Sequence, residues 1–279
     1  MRRTLCWGLF ALLLSTPLHA GTVTRLAELS LGAEDNIAAA REDRPQAEEQ
    51  FLHAGAGLVW SQALATALTL RLHGRAEGRV HARYDGLNEI TAAGEAQGVW
   101  QPGRGFHAPV IGLSLGGAAS AFQSRLRDGQ EYRLRLFLRE RLTTRLNARA
   151  SLFSLWRQAD SRVFDTHQQG LEAALDWQAT EPLSVSVGYQ FRDGDVVSVG
   201  QPNALALQAA RAAAPDDVFS GQTALRFAAH TQVVSLGANY ALGPGLAWDS
   251  QLRFAQSDAQ AFAARYQRWS LVTGLLWRF

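Results

Sequence analysis

The C-terminal stretch Tyr266-Gln-Arg-Trp-Ser-Leu-Val-Thr-Gly-Leu-Leu-Trp-Arg-Phe279 alternates with a period of two. In an extended strand successive side chains point to opposite faces. Trp269, Leu271, Thr273, Leu275, Trp277 and Phe279 therefore share one face, and Arg268, Ser270, Val272, Gly274, Leu276 and Arg278 share the other. The first face carries rings at both ends with aliphatic residues between them. That order suits a strand crossing a bilayer, with aromatics at each interface and methyl groups in the hydrocarbon.

Residues 130–141 repeat the pattern with more charge. Tyr132, Leu134, Leu136 and Leu138 alternate with Arg133, Arg135, Phe137, Arg139 and Arg141. An arginine facing lipid at the midplane costs about 2–4 kcal/mol, so this face must look into water or toward acids. Leu171 to Gln178, Leu183 to Arg192, Val234 to Leu242 and Leu246 to Phe254 alternate in the same way, with Gly243-Pro-Gly245 as a tight turn between the last two. No window after residue 20 is apolar for the roughly eighteen residues a helical span needs. The expectation is an all-β, transmembrane, antiparallel up-and-down β-barrel. Strands are placed near 22–32, 51–60, 64–75, 87–101, 108–122, 129–142, 146–157, 167–179, 183–199, 231–242, 246–257 and 265–279. That makes about twelve, an even number as single-chain barrels favour. Ten or fourteen stay open, because Arg71 to Val99 reads ambiguously.

The start of the chain reads as a leader. Arg2 and Arg3 precede an apolar run from Leu5 to Leu14, then Pro17 and Leu18-His-Ala20 before Gly21, the signature of a cleaved signal peptide. Residues 1–20 are thus assigned to the signal peptide and 21–279 to the barrel. Cys6, the single cysteine, falls in the leader, so thiol chemistry is excluded from the mature chain. Lysine is absent. Without Arg2 and Arg3, 25 of the 27 cationic residues remain against 25 acids, a balance that disfavours nucleic-acid binding.

With both ends of the barrel in the periplasm, the turns near Gln62, Pro102–Gly105, Thr143–Arg145, Glu181-Pro182 and Pro244 are periplasmic. The connections 33–50, 158–166 and 200–230 face outward. Asn203 to Ala214 is rich in helix formers and is expected to form a short helix on the rim or in the lumen.

The segment Tyr266 to Phe279 resembles the β-signal of bacterial outer-membrane proteins, with a terminal aromatic and apolar residues at alternate positions upstream, as Leu271, Leu275, Trp277 and Phe279 stand here. The resemblance implies a porin-like barrel in the outer membrane of a Gram-negative bacterium, among outer-membrane lipids, with the barrel assembly machinery and periplasmic chaperones as transient partners. Leu31–Asn36, Arg127–Tyr132 and Phe191–Asp195 are similar to short segments of porin-like barrels.

Catalytic and metal patterns are thin. The outer-membrane phospholipase pattern His-x-Ser-Asn-Gly is absent, and none of His53, His73, His81, His107, His167 and His230 has serine two residues on. No HExxH occurs. Asp193-Gly-Asp195 and Asp216-Asp217 are read as turn residues before weak Ca²⁺ ligands. No enzyme, cofactor or metal is expected. The inward face instead offers Arg71, Arg133, Arg135, Arg139, Arg141, Arg149, Arg192, Arg253 and Arg268, with Glu28, Glu172, Asp176 and Asp249. Two readings follow: a narrow pore with mild preference for anionic solutes, or a plugged, non-conducting barrel acting through its outer loops. A lipid hydrolase comes last. Solute and oligomeric state are not legible.

Overall fold

The computed structural model describes residues 21–42, 46–103, 105–260 and 264–279, so the leader assigned to 1–20 lies outside the described residues. The strands are β1 (Thr22–Glu34), β2 (Glu49–Ala65), β3 (Leu68–His81), β4 (Glu89–Trp100), β5 (Val110–Phe122), β6 (Gly129–Arg141), β7 (Leu146–Ala159), β8 (Thr166–Gln178), β9 (Leu183–Gly200), β10 (Ala212–Pro215), β11 (Thr223–Gly243), β12 (Leu246–Ala259) and β13 (Arg265–Arg278). All neighbours pair antiparallel, β11 bonds directly to β9, and β13 bonds to β1. The sheet is therefore a closed twelve-strand barrel, with β10 as a side strand. Closure at the last seam continues to the end of the chain, where Arg25 and Phe279 exchange backbone hydrogen bonds of 3.2 and 2.9 Å.

Register fixes which face each residue takes. Leu29 stands opposite Leu275, Leu136 opposite Leu152, and Val234 opposite both Tyr189 and Phe254. Of these outward residues, Leu29, Leu136, Leu152, Tyr189 and Val234 are among the exposed large apolar side chains, and Leu275 and Phe254 are partly covered by their neighbours. Rings gather at the two ends of this outer face: Trp100, Trp177, Tyr240, Trp248 and Trp277 near the short turns, and Tyr132, Trp156, Phe254 and Trp269 toward the longer loops. Leucine, valine and alanine fill the band between, as a membrane-spanning wall requires. Inside, Phe51 lies over Gly32 and Phe137 over Gly112, where a Cβ on either glycine would overlap the ring. Phe137 can thus share the arginine face of β6 without disturbing the ladder.

The turn at Pro244-Gly245 is tight because Gly245 takes φ +75°, which completes a Pro-Gly turn. Three expectations need correction. The first turn is not near Gln62: β2 runs on to Ala65, and Gln62 pairs with Leu70. Nothing in Ala63-Leu-Ala-Thr-Ala67 marks the reversal, because neither proline nor glycine stands there. β11 begins at Thr223 rather than near 231, and with β9 it forms an arm rising past the end of β12. The predicted helix is only α1 (Ala204–Ala209), capped by Asn203 Oδ1 accepting from the Ala206 N–H at 2.8 Å. Ala212–Pro215 pairs instead with Arg226–Thr223, filling the β11 edge that β12 stops short of covering.

Leu236 sits midway along the outer face of β11. Replacing it with arginine should destabilise the barrel by about 2–4 kcal/mol, whereas Ser235→Arg, which points inward, should cost much less. Equilibrium urea unfolding in lipid vesicles reads the difference; equal costs would contradict the assigned faces.

Candidate pore lumen and its covered mouth

The inner face is a belt of charge. β3 contributes Arg71, His73, Arg75, Glu77, Arg79 and His81 at alternate positions, and β4 adds Glu89 and Glu95. The sequence reading missed most of these. Their signal was present, but the alternating partners Gly74, Ala76 and Gly78 are too small to read as a lipid face. Around β1–β4 the charges are knitted together. His53 lies 3.4 Å from Glu28 and 3.5 Å from Glu77, Arg75 bonds Glu77 at 3.2 Å, and Arg79 lies 3.6 Å from Glu89.

On β6–β8 the predicted arginines face inward and are partly matched. Arg133 bonds Glu131 at 2.9 Å, Arg135 lies 3.6 Å from Glu172, and Arg149 bonds Asp176 at 2.7 Å. Arg139 stands opposite Arg149 and has no ion-pair partner among the described residues. Arg141 sits at the turn end, its guanidinium 5.2 Å from the centre of the Phe106 ring, so it belongs to the rim rather than to an interior ladder. Asp249 accepts a hydrogen bond from Asn239 at 3.0 Å. The β9–β13 wall is different. Arg192 reaches only the Gln190 amide oxygen, at 2.8 and 2.5 Å, and Arg253 has no ion-pair or hydrogen-bond partner among the described residues. Arg268 lies 3.6 Å from Glu34.

The candidate assembly residues divide by face. Leu271, Leu275, Trp277 and Phe279 share the outer face, with Phe279 strongly exposed. Tyr266 is out of phase with them. It is buried on the inner side against Phe227, Leu225 and Ala206 of α1, because it meets the folded loops rather than lipid.

Those loops form the second part of the site. Residues from the β1–β2, β3–β4, β5–β6, β7–β8 and β9–β11 connections meet in one apolar cluster built on Ala38, Val163, Phe164, Val199, Phe219 and Ala224. Loops rising from opposite sides of a ring can meet only over its mouth. Ala38 O accepts from the Val199 N–H across it at 2.8 Å. The fully buried Asn36 holds the first loop through Ala40 and Gln267. Glu49 holds the second, accepting from the N–H groups of Ala82, Arg83 and Tyr84. The main latch is Arg127, 6% exposed, which bonds Asp216 at 2.6 Å and Asp217 at 3.0 Å while lying 4.4 Å over the Phe164 ring. Asp216 and Asp217 are therefore latch residues, as Asp195 is a partner of Arg211. Among the described residues no group of His, Cys, Asp and Glu gathers as a metal site.

Two serine–histidine pairs arise across strands. Ser30 Oγ lies 3.2 Å from His53 Nδ1, but Ser30 is 3% exposed, packed against Gly274, and also donates to Glu28. Ser154 Oγ lies 3.3 Å from His167 Nε2 on the outer face, with His167 stacked on Trp156 and no carboxylate partner for its ring among the described residues. Gly112-Leu-Ser-Leu-Gly116 has the spacing of a nucleophile elbow. It lies within strand β5 with Ser114 buried, and an elbow needs a strand-to-helix turn.

No protein-family model matches the chain, and no curated protein matches it. An outer membrane channel from Pseudomonas putida F1 shares its fold, with a TM-score of 0.62 at 10% identity over 94% of this chain and 97% of that one. An anion-selective porin from Comamonas acidovorans overlaps at a TM-score of 0.45 and 9% identity, over 93% of this chain and 99% of that one. The KdgM porin in complex with disordered oligogalacturonate does so at 0.44 and 9%, over 91% and 99%. The last two overlaps are too weak to bear on function. By fold the chain is a closed antiparallel twelve-strand β-barrel, the architecture of that outer membrane channel.

Removing one partner of a buried ion pair costs about 3–5 kcal/mol. Arg127→Ala should therefore loosen the loops while leaving the strand ladders intact. Limited proteolysis of the folded protein should cut faster within 201–222 than in the parent chain; an unchanged rate would show that Arg127 does not latch the mouth.

Proposed function

We propose that the protein is a porin-like channel that favours small anionic solutes, residing in the outer membrane of a Gram-negative bacterium after cleavage of its leader. The observation that carries this reading is the imbalance of the β9–β13 wall, where Arg192 and Arg253 face the lumen without carboxylate partners. Arginine keeps its charge at any physiological pH, so the field of this wall is permanent. Cations are repelled there, and anions are drawn in. The exposed apolar band with its rings suits outer-membrane lipids, and the outward face of Leu271, Leu275, Trp277 and Phe279 suits recognition by the barrel assembly machinery.

A second reading has an observation of its own. The packed loops over the mouth favour a barrel that does not conduct and works through its outer surface. Planar-bilayer recording separates the two. The channel reading expects conductance whose reversal potential in a salt gradient reports anion preference, reduced in Arg192→Gln/Arg253→Gln. A folded barrel with no conductance would favour the second reading, and cation selectivity would contradict the first.

A further inference from the structure

Beneath the covered mouth lies a cavity of about 500 Å³ whose charged wall is made by Arg157, Arg192, Arg253 and Arg268 with Glu34 and Asp195. Small-molecule sites commonly measure about 300–1,000 Å³. Both acids are already engaged. Asp195 accepts from Arg211 at 2.8 Å and from the His167 N–H at 3.0 Å, and Glu34 faces Arg268. Arg157 spends its guanidinium on the Arg127 carbonyl at 2.8 Å. Arg192 and Arg253, drawn from β9 and β12, are left to share the cavity with no carboxylate of their own. Two like charges held in a confined, partly dry space repel one another, and an anion between them relieves that repulsion.

The rest of the wall speaks to the remainder of the ligand. Thr166, Gln168, Ser257 and Ser270 line the same space with hydroxyl and amide groups. The lumen cavity on the other side of the barrel differs, because it mixes His73, Arg75 and Arg133 with Glu95 and Glu131, and its Arg133–Glu131 pair is already closed. Phe164 belongs both to the apolar cluster over the mouth and to the wall of the arginine cavity, so the cavity lies directly under the cover.

We infer that this cavity is a binding site for a small hydroxylated anion, its carboxylate or phosphate held between Arg192 and Arg253 and its hydroxyls met by the serine, threonine and glutamine side chains. The inference rests on anion passage through the lumen and adds a station at which the solute stops. Guanidinium groups suit both headgroups because each offers a fork of donors to paired oxygens.

The test is isothermal titration of the detergent-folded barrel with gluconate, glucose 6-phosphate and glucose. At least one anion should bind saturably while glucose does not, and which anion binds identifies the headgroup. Loss of a charge-assisted contact should weaken binding about tenfold or more in each of Arg192→Gln and Arg253→Gln. Arg253→Lys should keep more affinity than Arg253→Gln, and Arg145→Gln, at the far turn, should bind as the parent does. Ala255→Leu, which narrows the cavity without removing a charge, should also weaken binding and guards against a fold defect in the arginine variants. Absence of saturable anion binding, or affinity unchanged in both glutamine variants, would overturn the site. Binding is read without current, so the two readings fail separately. Anion-selective conductance without saturable binding would remove the site and spare the channel. Arginine-dependent binding by a silent barrel would uphold the site alone.

Discussion

A backbone N–H or C=O left unpaired in hydrocarbon costs several kcal/mol, and closing the sheet on itself is how this chain avoids that cost. The two seams that matter are β9 with β11, which pass over β10, and β13 with β1, which runs to the hydrogen bonds between Arg25 and Phe279. Once the ring is closed, the period of two leaves each side chain a choice between lipid and lumen. Leucine and valine can take either; arginine cannot take the first. The charged belt is thus a consequence of closure before it is a device.

Where the charges find partners then differs around the ring. On β1–β4 they form a chain from Glu28 through His53 and Glu77 to Arg75, which ties three strands together. On β9–β13 threonine and serine stand opposite Arg192 and Arg253, where acids would be needed to balance them. A barrel of this size lies between small ones filled by side chains and large ones with open channels. The functional reading therefore depends on that local imbalance and on the loops, which fold over one end instead of standing clear of it.

The sequence made the barrel legible where both faces carry strong signals. β6 shows leucine against arginine, and β13 shows rings at both ends of its apolar face. β8, β9 and β12 also stand close to where their alternation places them. It was less legible where one face is small. β3 hides its polar row behind Gly74, Ala76 and Gly78, and the turn before it lacks proline or glycine. The start of β11 escaped because Leu225 and Phe227 are buried by Tyr266 and α1, not by lipid. The latch could not be read at all. Arg127 and Asp216 lie far apart in the chain and meet only because two loops lean over the same mouth.

The claim on which the rest depends is that closure puts the arginine face of β6 in water and its leucine face in lipid. Single cysteines placed in turn from Arg133 to Arg139, in a Cys6→Ser background and in lipid vesicles, measure this directly through their reaction with a charged, water-soluble maleimide. The account predicts reaction at 133, 135, 137 and 139 and protection at 134, 136 and 138. Uniform reaction along the strand, or the opposite phase, would contradict it.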